Sequence, residues 1–445
     1  PTVLGRARRT SASRAPALGA APSLQARAAV AVGDTVGLNV FNLSARTCAR
    51  AIPVRARVVY TGARAVVYED VANALAGSMD AELRRVGEEF DATMLPILER
   101  NFGNALAMDA KLDADGKIAM LFTKTVNDSM PNVLGFVTSC NFYAKRNTGF
   151  AASNEMELFY ARAPGAGESA AAWRYNLRAT TIHEMKHVVA YAEKIGRAGD
   201  GIPNYDDDWL EEGSARLSEE LYARTFSGAA WRGNAGFAST VGCELALCDE
   251  RPYAMAKHWT RMHLYYRSVD ALSPLVGSND INATFYSSAW SLLRWALDHY
   301  AGGDEAGFLR ALTLEPTLYG VANLAARTGR PPAEMLAEWG QAMFLDDAPG
   351  FAPLRAQLGF PSWNARDLLR GLSAFSPGSY PGAFPLAVRQ APFGDFLSQD
   401  MLLRGWSTAY FELSGTMRAP QLLELRAPNG GPAPATMRMA IVRLE

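Results

Sequence analysis

The chain has no apolar run approaching the roughly 18–20 residues needed to span a bilayer, so a transmembrane segment is excluded as a reading of it. It also lacks a charge imbalance: 44 Lys and Arg stand against 45 Asp and Glu. That balance argues against a dedicated nucleic-acid surface and leaves no polybasic patch for anionic membranes. Cysteine is sparse, with Cys48, Cys140, Cys243 and Cys248 only, and no CxxC or second cysteine-histidine pair accompanies them, which leaves a zinc-finger reading weak. No repeat of 20–50 residues is present, so solenoids and propellers are excluded. The chain begins at Pro1 with no charged n-region followed by an apolar h-region, which we read as an export signal already removed. Histidine is scarce as well, at five in 445 residues. Where those five stand is therefore informative.

What is present is ample core material: 49% of residues are apolar, enough for two or three domains at this length. Residues 1–33, rich in Ala, Arg, Ser and Pro, are expected to be a disordered leader or linker, with room for the stem of a lipid anchor. Short β-branched runs at 36–40, 54–60 and 65–68, split by Gly and Pro, predict a β-rich N-terminal module over 34–70. Helical periodicity starts near Asp80. Alternation at 118–122, 135–138 and 155–160 predicts sheet, and long helical stretches follow from about 174 to 345. Residues 71–350 are taken as the catalytic domain. Segments 407–413 and 437–442 predict a C-terminal β-domain over 361–445. The fold class expected is α+β. The near pair Cys243 and Cys248 and the even count are compatible with disulfides, and equally with four reduced, buried thiols.

The central motif is Thr181-Ile182-His183-Glu184-Met185-Lys186-His187. Residues four apart share a helix face, so two imidazoles at this spacing can converge on one Zn²⁺. Glu184, next to the first, projects toward the open coordination position and suits a general base for water. Ile182, Met185, Val189 and Ala192 supply an apolar stripe to bury the helix. The bland alternative is an amphipathic helix with two surface histidines. After a Gly/Pro break, Trp209-Leu210-Glu211-Glu212-Gly213 opens a second helix able to bring a carboxylate and complete a His₂Glu set. Alone, that helix reads equally well as a charged surface helix.

HExxH followed by a Trp-Leu-x-Glu-Gly helix resembles the gluzincin metallopeptidases, whose core is thermolysin-like. Together with Thr-Ile before the first histidine, it looks most like the hyicolysin-like secreted bacterial peptidases. The likeness covers about residues 115–345 and is strong only at the two helices. It implies His183, His187 and Glu212 as zinc ligands and Glu184 as the general base. One position departs from the pattern: Glu211 stands where the family usually has Asn. Either carboxylate could reach the metal, and Gly213 favours Glu212. Glu219 shares the face but lies about 10 Å along the axis, too far to ligate the same ion; it could support a ligand from behind or be solvated, and the solvated position is expected. In gluzincins a tyrosine opening a later helix stabilises the oxyanion; Tyr286 resembles it, with a core aromatic as the equal alternative. His258, His263 and His299 are reserves for that role, each expected to be structural.

These readings converge on a secreted or envelope-localised zinc endopeptidase (periplasm or outer surface) acting on proteins or peptides. An edge strand over 155–160 would hold the substrate extended by β-augmentation. A zinc aminopeptidase is the nearest alternative, but the Gly-x-Met-Glu-Asn anchor of aminopeptidase N-like enzymes is only faintly echoed by Asn154-Glu155-Met156-Glu157. A non-catalytic surface adhesion protein with a structural metal is the rival from another class. A Ca²⁺ site is a weaker signal. Asp113-Ala114-Asp115-Gly116-Lys117 fails the EF-hand pattern and is expected to be a turn into the strand at Ile118. Asp206-Asp207-Asp208 is expected to be a solvated cap on the next helix.

Overall fold

The computed structural model describes residues 29–42, 47–147, 149–199, 201–276, 284–352, 355–392, 401–414 and 422–443. Most of the expected leader, residues 1–28, lies outside them. In chain order the main elements are β1 (Thr35–Phe41), β2 (Ala51–Thr61), β3 (Ala65–Asp70), α1 (Asp80–Glu89), α2 (Leu95–Asn101), β4 (Ile118–Thr123), α3 (Lys124–Ser129), β5 (Gly135–Val137) and β6 (Leu158–Arg162). There follow α4 (Ala170–Ala198), α5 (Asp208–Ser227), α6 (Val241–Leu245), α7 (Met255–Tyr266), α8 (Thr284–Tyr300), α9 (Glu305–Leu314), α10 (Gly320–Thr328), α11 (Pro332–Leu345), α12 (Ala365–Phe375), β7 (Val388–Pro392) and β8 (Tyr410–Ser414). A mixed sheet and many helices make the class α+β, as expected.

The chain forms two compact units. The first comprises residues 1–226, 247–254 and 304–319. Its sheet runs β1-β2-β3-β4-β6-β5, antiparallel at β1/β2, β2/β3 and β5/β6, parallel at β3/β4 and β4/β6. The three N-terminal strands, expected as a separate module over 34–70, are thus continuous with the strands after residue 117. The seam is the β3/β4 pairing, Ala65 opposite Ile118, in which two fully buried strands meet. A second expectation is corrected here. The segment 155–160 feeds β6, which is paired on both sides, so it is no edge strand; β1 and β5 are the edges.

One sheet face carries a core of Val58, Tyr68, Leu121, Phe136 and Tyr160 among others. The β5–β6 connection passes over this face and reaches β1. There the Asn154 amide donates to the Asn39 carbonyl at 2.7 Å, and the Tyr160 hydroxyl donates to the same carbonyl at 3.0 Å. A Cys48–Cys140 disulfide (Cα–Cα 5.6 Å) fastens this connection to the β1–β2 turn, and no cysteine among the described residues is free. Helix α4 packs on β5 and β6, with α2 and α9 also against it.

The second unit comprises residues 227–246, 255–303 and 320–445. It is mostly helical. The C-terminal segment holds less strand than its alternation predicts. Among the described residues it has the helix α12 and the two-stranded parallel pair β7/β8, and 437–442 is not a strand. Helix α12 has a strongly one-sided apolar pattern, with Leu368, Leu369 and Leu372 buried, that Gly and Pro punctuation around it obscured.

Candidate metal centre

Helix α4 starts where Ser169 Oγ accepts from Ala172 N at 3.2 Å, and it ends at Gly199 with φ +55°. Every residue from 177 to 195 is buried. This is more than the single stripe expected, so each polar side chain on the helix must find a partner inside. Arg178 is paired with Glu89, Lys186 with Glu211 and Lys194 with Asp206. Asp206, expected to be solvated, is thereby committed to an ion pair at 2.8 Å.

Three contacts set the direction of α5 against α4: Lys194 with Asp206, His187 with Glu211, and His183 with Glu219. Numbers fall on one helix as they rise on the other, so the two run antiparallel. That arrangement brings His183, His187 and Glu212 together, with one ligating atom from each lying within 4.8 Å of the others. His183 Nε2 stands 3.2 Å and His187 Nε2 3.7 Å from the same Glu212 oxygen. A tetrahedral ion with bonds of about 2.0–2.1 Å separates its donors by about 3.3 Å, so the spacing fits zinc.

The outer nitrogens are also committed. His183 Nδ1 donates to Glu219 Oε1 at 2.8 Å, and His187 Nδ1 donates to Glu211 Oε1 at 2.6 Å. Glu219 is itself held by Arg216 at 3.2 Å and is fully buried, which corrects the expectation of a solvated side chain. Glu211, the residue that departs from the resembled pattern, bridges Lys186 and His187. The pairing of these two carboxylates with the histidines' outer nitrogens, and the part of Lys186, are what the sequence reading did not assign. Their signal was the Glu211/Glu219 spacing on α5, which an antiparallel partner converts into one carboxylate per histidine.

Electrostatically the centre suits a cation. Burial opposes charge on His187, but Glu212 and Glu211 overcome it and lift its pKa to about 10. Burial likewise opposes charge on Glu211, yet Lys186 and His187 hold it down at about 2. His187 Nε2, fully buried, and Glu184 Oε2 have no hydrogen-bond partner among the described residues. An orphaned imidazole nitrogen facing a carboxylate, beside an orphaned carboxylate oxygen, is the pattern a metal and a water would satisfy. Burial raises the pKa of Glu184, with His183 and His187 pulling against it.

The other candidates lie in the second unit. Tyr286 is in the first turn of α8, half-buried, with its ring 5.7 Å from that of Phe285. His258 stacks on Trp290 at 4.8 Å. His263 Nε2 donates to the Pro381 carbonyl, and His299 Nε2 to the Gly359 carbonyl.

No family model matches the chain. It is similar to the neutral metalloprotease ShpI of Staphylococcus hyicus, at 28% identity over 151 residues. The match takes in 32% of this chain and spans about 31% of that relative's length. This distant, partial similarity and the His-His-Glu centre agree on one coarse relationship, to metalloproteases.

Proposed function

We propose that the chain is a zinc-dependent endopeptidase of the gluzincin kind, hyicolysin-like in its two motif helices. The observation that carries this is the orientation of the two imidazoles. Both Nε2 atoms face one oxygen of Glu212 while both Nδ1 protons are held by carboxylates, a set of three donors where a tetrahedral ion takes four. Zinc, if bound there, would supply a Lewis acid to polarise the scissile carbonyl and acidify water. His183, His187 and Glu212 would hold it, and Glu219 and Glu211 fix the tautomers. Glu184 takes the proton from the attacking water and returns it to the leaving amine nitrogen. The gluzincin resemblance, and it alone, assigns Tyr286 the hydrogen bond to the developing oxyanion. The substrate is a protein or peptide. The paired cysteines fit an oxidising compartment, hence secretion or the cell envelope.

The test is metal content alongside casein hydrolysis for wild type, Glu184→Gln, Glu212→Ala and Tyr286→Phe. Glu184→Gln is expected to keep its zinc and lose about 10²–10⁴-fold in rate. Glu212→Ala is expected to lose the metal. Tyr286→Phe should lower kcat about 10²-fold at unchanged KM; an unchanged rate returns Tyr286 to packing beside Phe285. Full activity of zinc-loaded Glu184→Gln would sink the mechanism. Stoichiometric zinc with no hydrolysis of any peptide would replace it by a structural metal in a binding protein. Activity confined to substrates with a free amino terminus would make the enzyme an aminopeptidase.

A further inference from the structure

A second group of acids lies in the first unit, on the loop that leads into β4. One carboxylate oxygen from each of Asp109, Asp113 and Asp115 lies within 4.8 Å of the others. The loop is shaped for this by its own backbone. Gly116 turns it at φ +71°, Gly116 N donates to Asp109 Oδ1 at 3.1 Å, and Lys117 N donates to Asp115 Oδ1 at 2.7 Å. Three clustered aspartates alone are common on protein surfaces. The independent observation is Glu157. It sits one residue before β6, beside the loop's exit, where its carbonyl accepts from Ala119 N at 2.8 Å. Its side chain is fully buried, and neither carboxylate oxygen has a hydrogen-bond partner among the described residues.

A buried carboxyl with no partner is costly in either protonation state: the anion lacks a cation, and the neutral acid lacks an acceptor for its proton. Burial and then Asp113, with Asp109 and Asp115 behind it, push its pKa up to about 9, so the three aspartates act on this same group. A cation among them removes the repulsion and satisfies the orphaned oxygens together. The donors are all oxygen, with no imidazole or thiolate, which selects a hard ion over zinc. The irregular loop, unlike a rigid octahedral cage, suits calcium over magnesium.

We infer that Asp109, Asp113, Asp115 and Glu157 form a calcium site that locks the loop before β4 to the start of β6. It goes beyond the catalytic reading and does not depend on it. The experiment uses the full chain as purified, dialysed into calcium-free buffer and titrated with CaCl₂ by calorimetry, with thermal unfolding in parallel. One Ca²⁺ per chain is expected, with Tm rising roughly 2–4 °C or more at saturation. Asp115→Asn keeps an acceptor for Lys117 N while removing one charge, and it should weaken binding at least tenfold. Glu157→Gln should weaken it similarly and blunt the Tm response. The inference falls if there is no heat and no Tm change up to about 10 mM CaCl₂, above the range of weak extracellular sites. It falls equally if both variants bind calcium as wild type does, or if MgCl₂ reproduces the whole response.

Discussion

Each imidazole at the centre has one nitrogen to give to a metal, and a carboxylate on the other nitrogen decides which. Glu211 does this for His187 while also neutralising Lys186, whose ammonium is almost fully buried 2.8 Å away. Glu211→Gln therefore has two effects that can be separated. It leaves a buried ammonium without its counter-charge, at a cost of about 3–5 kcal/mol in stability. It also loosens the hold on His187 Nδ1, lowering zinc affinity about 10–100-fold. The double variant Lys186→Met/Glu211→Gln removes the stranded charge. It should recover most of the stability in urea unfolding of the metal-free protein while zinc affinity, read by competition with a chromophoric chelator, stays low. Wild-type affinity in the double variant would reduce Glu211 to a partner of Lys186 alone.

At the scale of elements, the centre is a property of two antiparallel helices held at a fixed spacing. The motif helix was legible because HExxH and the recurring Ile182, Met185, Val189 and Ala192 obey one period. The second helix was legible from Trp209 through Gly213. Its register was not, because which residue of α5 meets which residue of α4 depends on the connection between the two helices, which the helical period does not encode. For the same reason Glu219 looked solvated: 10 Å is too far to share an ion with Glu212, yet right for the other histidine one turn back. Ser218 keeps the spacing. It is fully buried, with Oγ 3.2 Å from the Ile182 carbonyl and 2.6 Å from that of Ala215. Ser218→Leu should force the helices apart at the His183 level, costing about 1–3 kcal/mol and weakening zinc binding. Ser218→Ala, which preserves the spacing, should cost no more than about 1.5 kcal/mol and keep the affinity. Equal zinc affinity in Ser218→Leu would show that helix spacing does not set the site.

Over the whole molecule, what the local pattern could not convey is which distant segments pair. The strands 36–40 and 65–68 were visible as short β-branched runs split by Gly and Pro. Their union with 118–122 in one sheet was not, since a parallel pairing spans dozens of residues and leaves no mark on either run. The same holds for the far edge, where the β5–β6 connection returns to β1 through Asn39, Asn154 and Tyr160. The Cys48–Cys140 bridge lies beside that return and closes 92 residues of chain. A loop of that order withdraws about 4–5 kcal/mol of conformational freedom from the unfolded chain, in the entropic account. Replacing both cysteines by serine should therefore lower stability by about 2–5 kcal/mol, measured by urea unfolding of zinc-loaded protein. The bridge fastens the sheet's β1 edge and the connection crossing its face, whereas the metal-binding residues sit on α4 and α5. Zinc stoichiometry at low temperature should thus be preserved in the variant, with proteolytic nicking appearing first in residues 139–157. Loss of zinc without loss of stability would place the bridge's role at the centre itself. Unchanged stability would mean the polar return through Asn39 suffices to hold the connection.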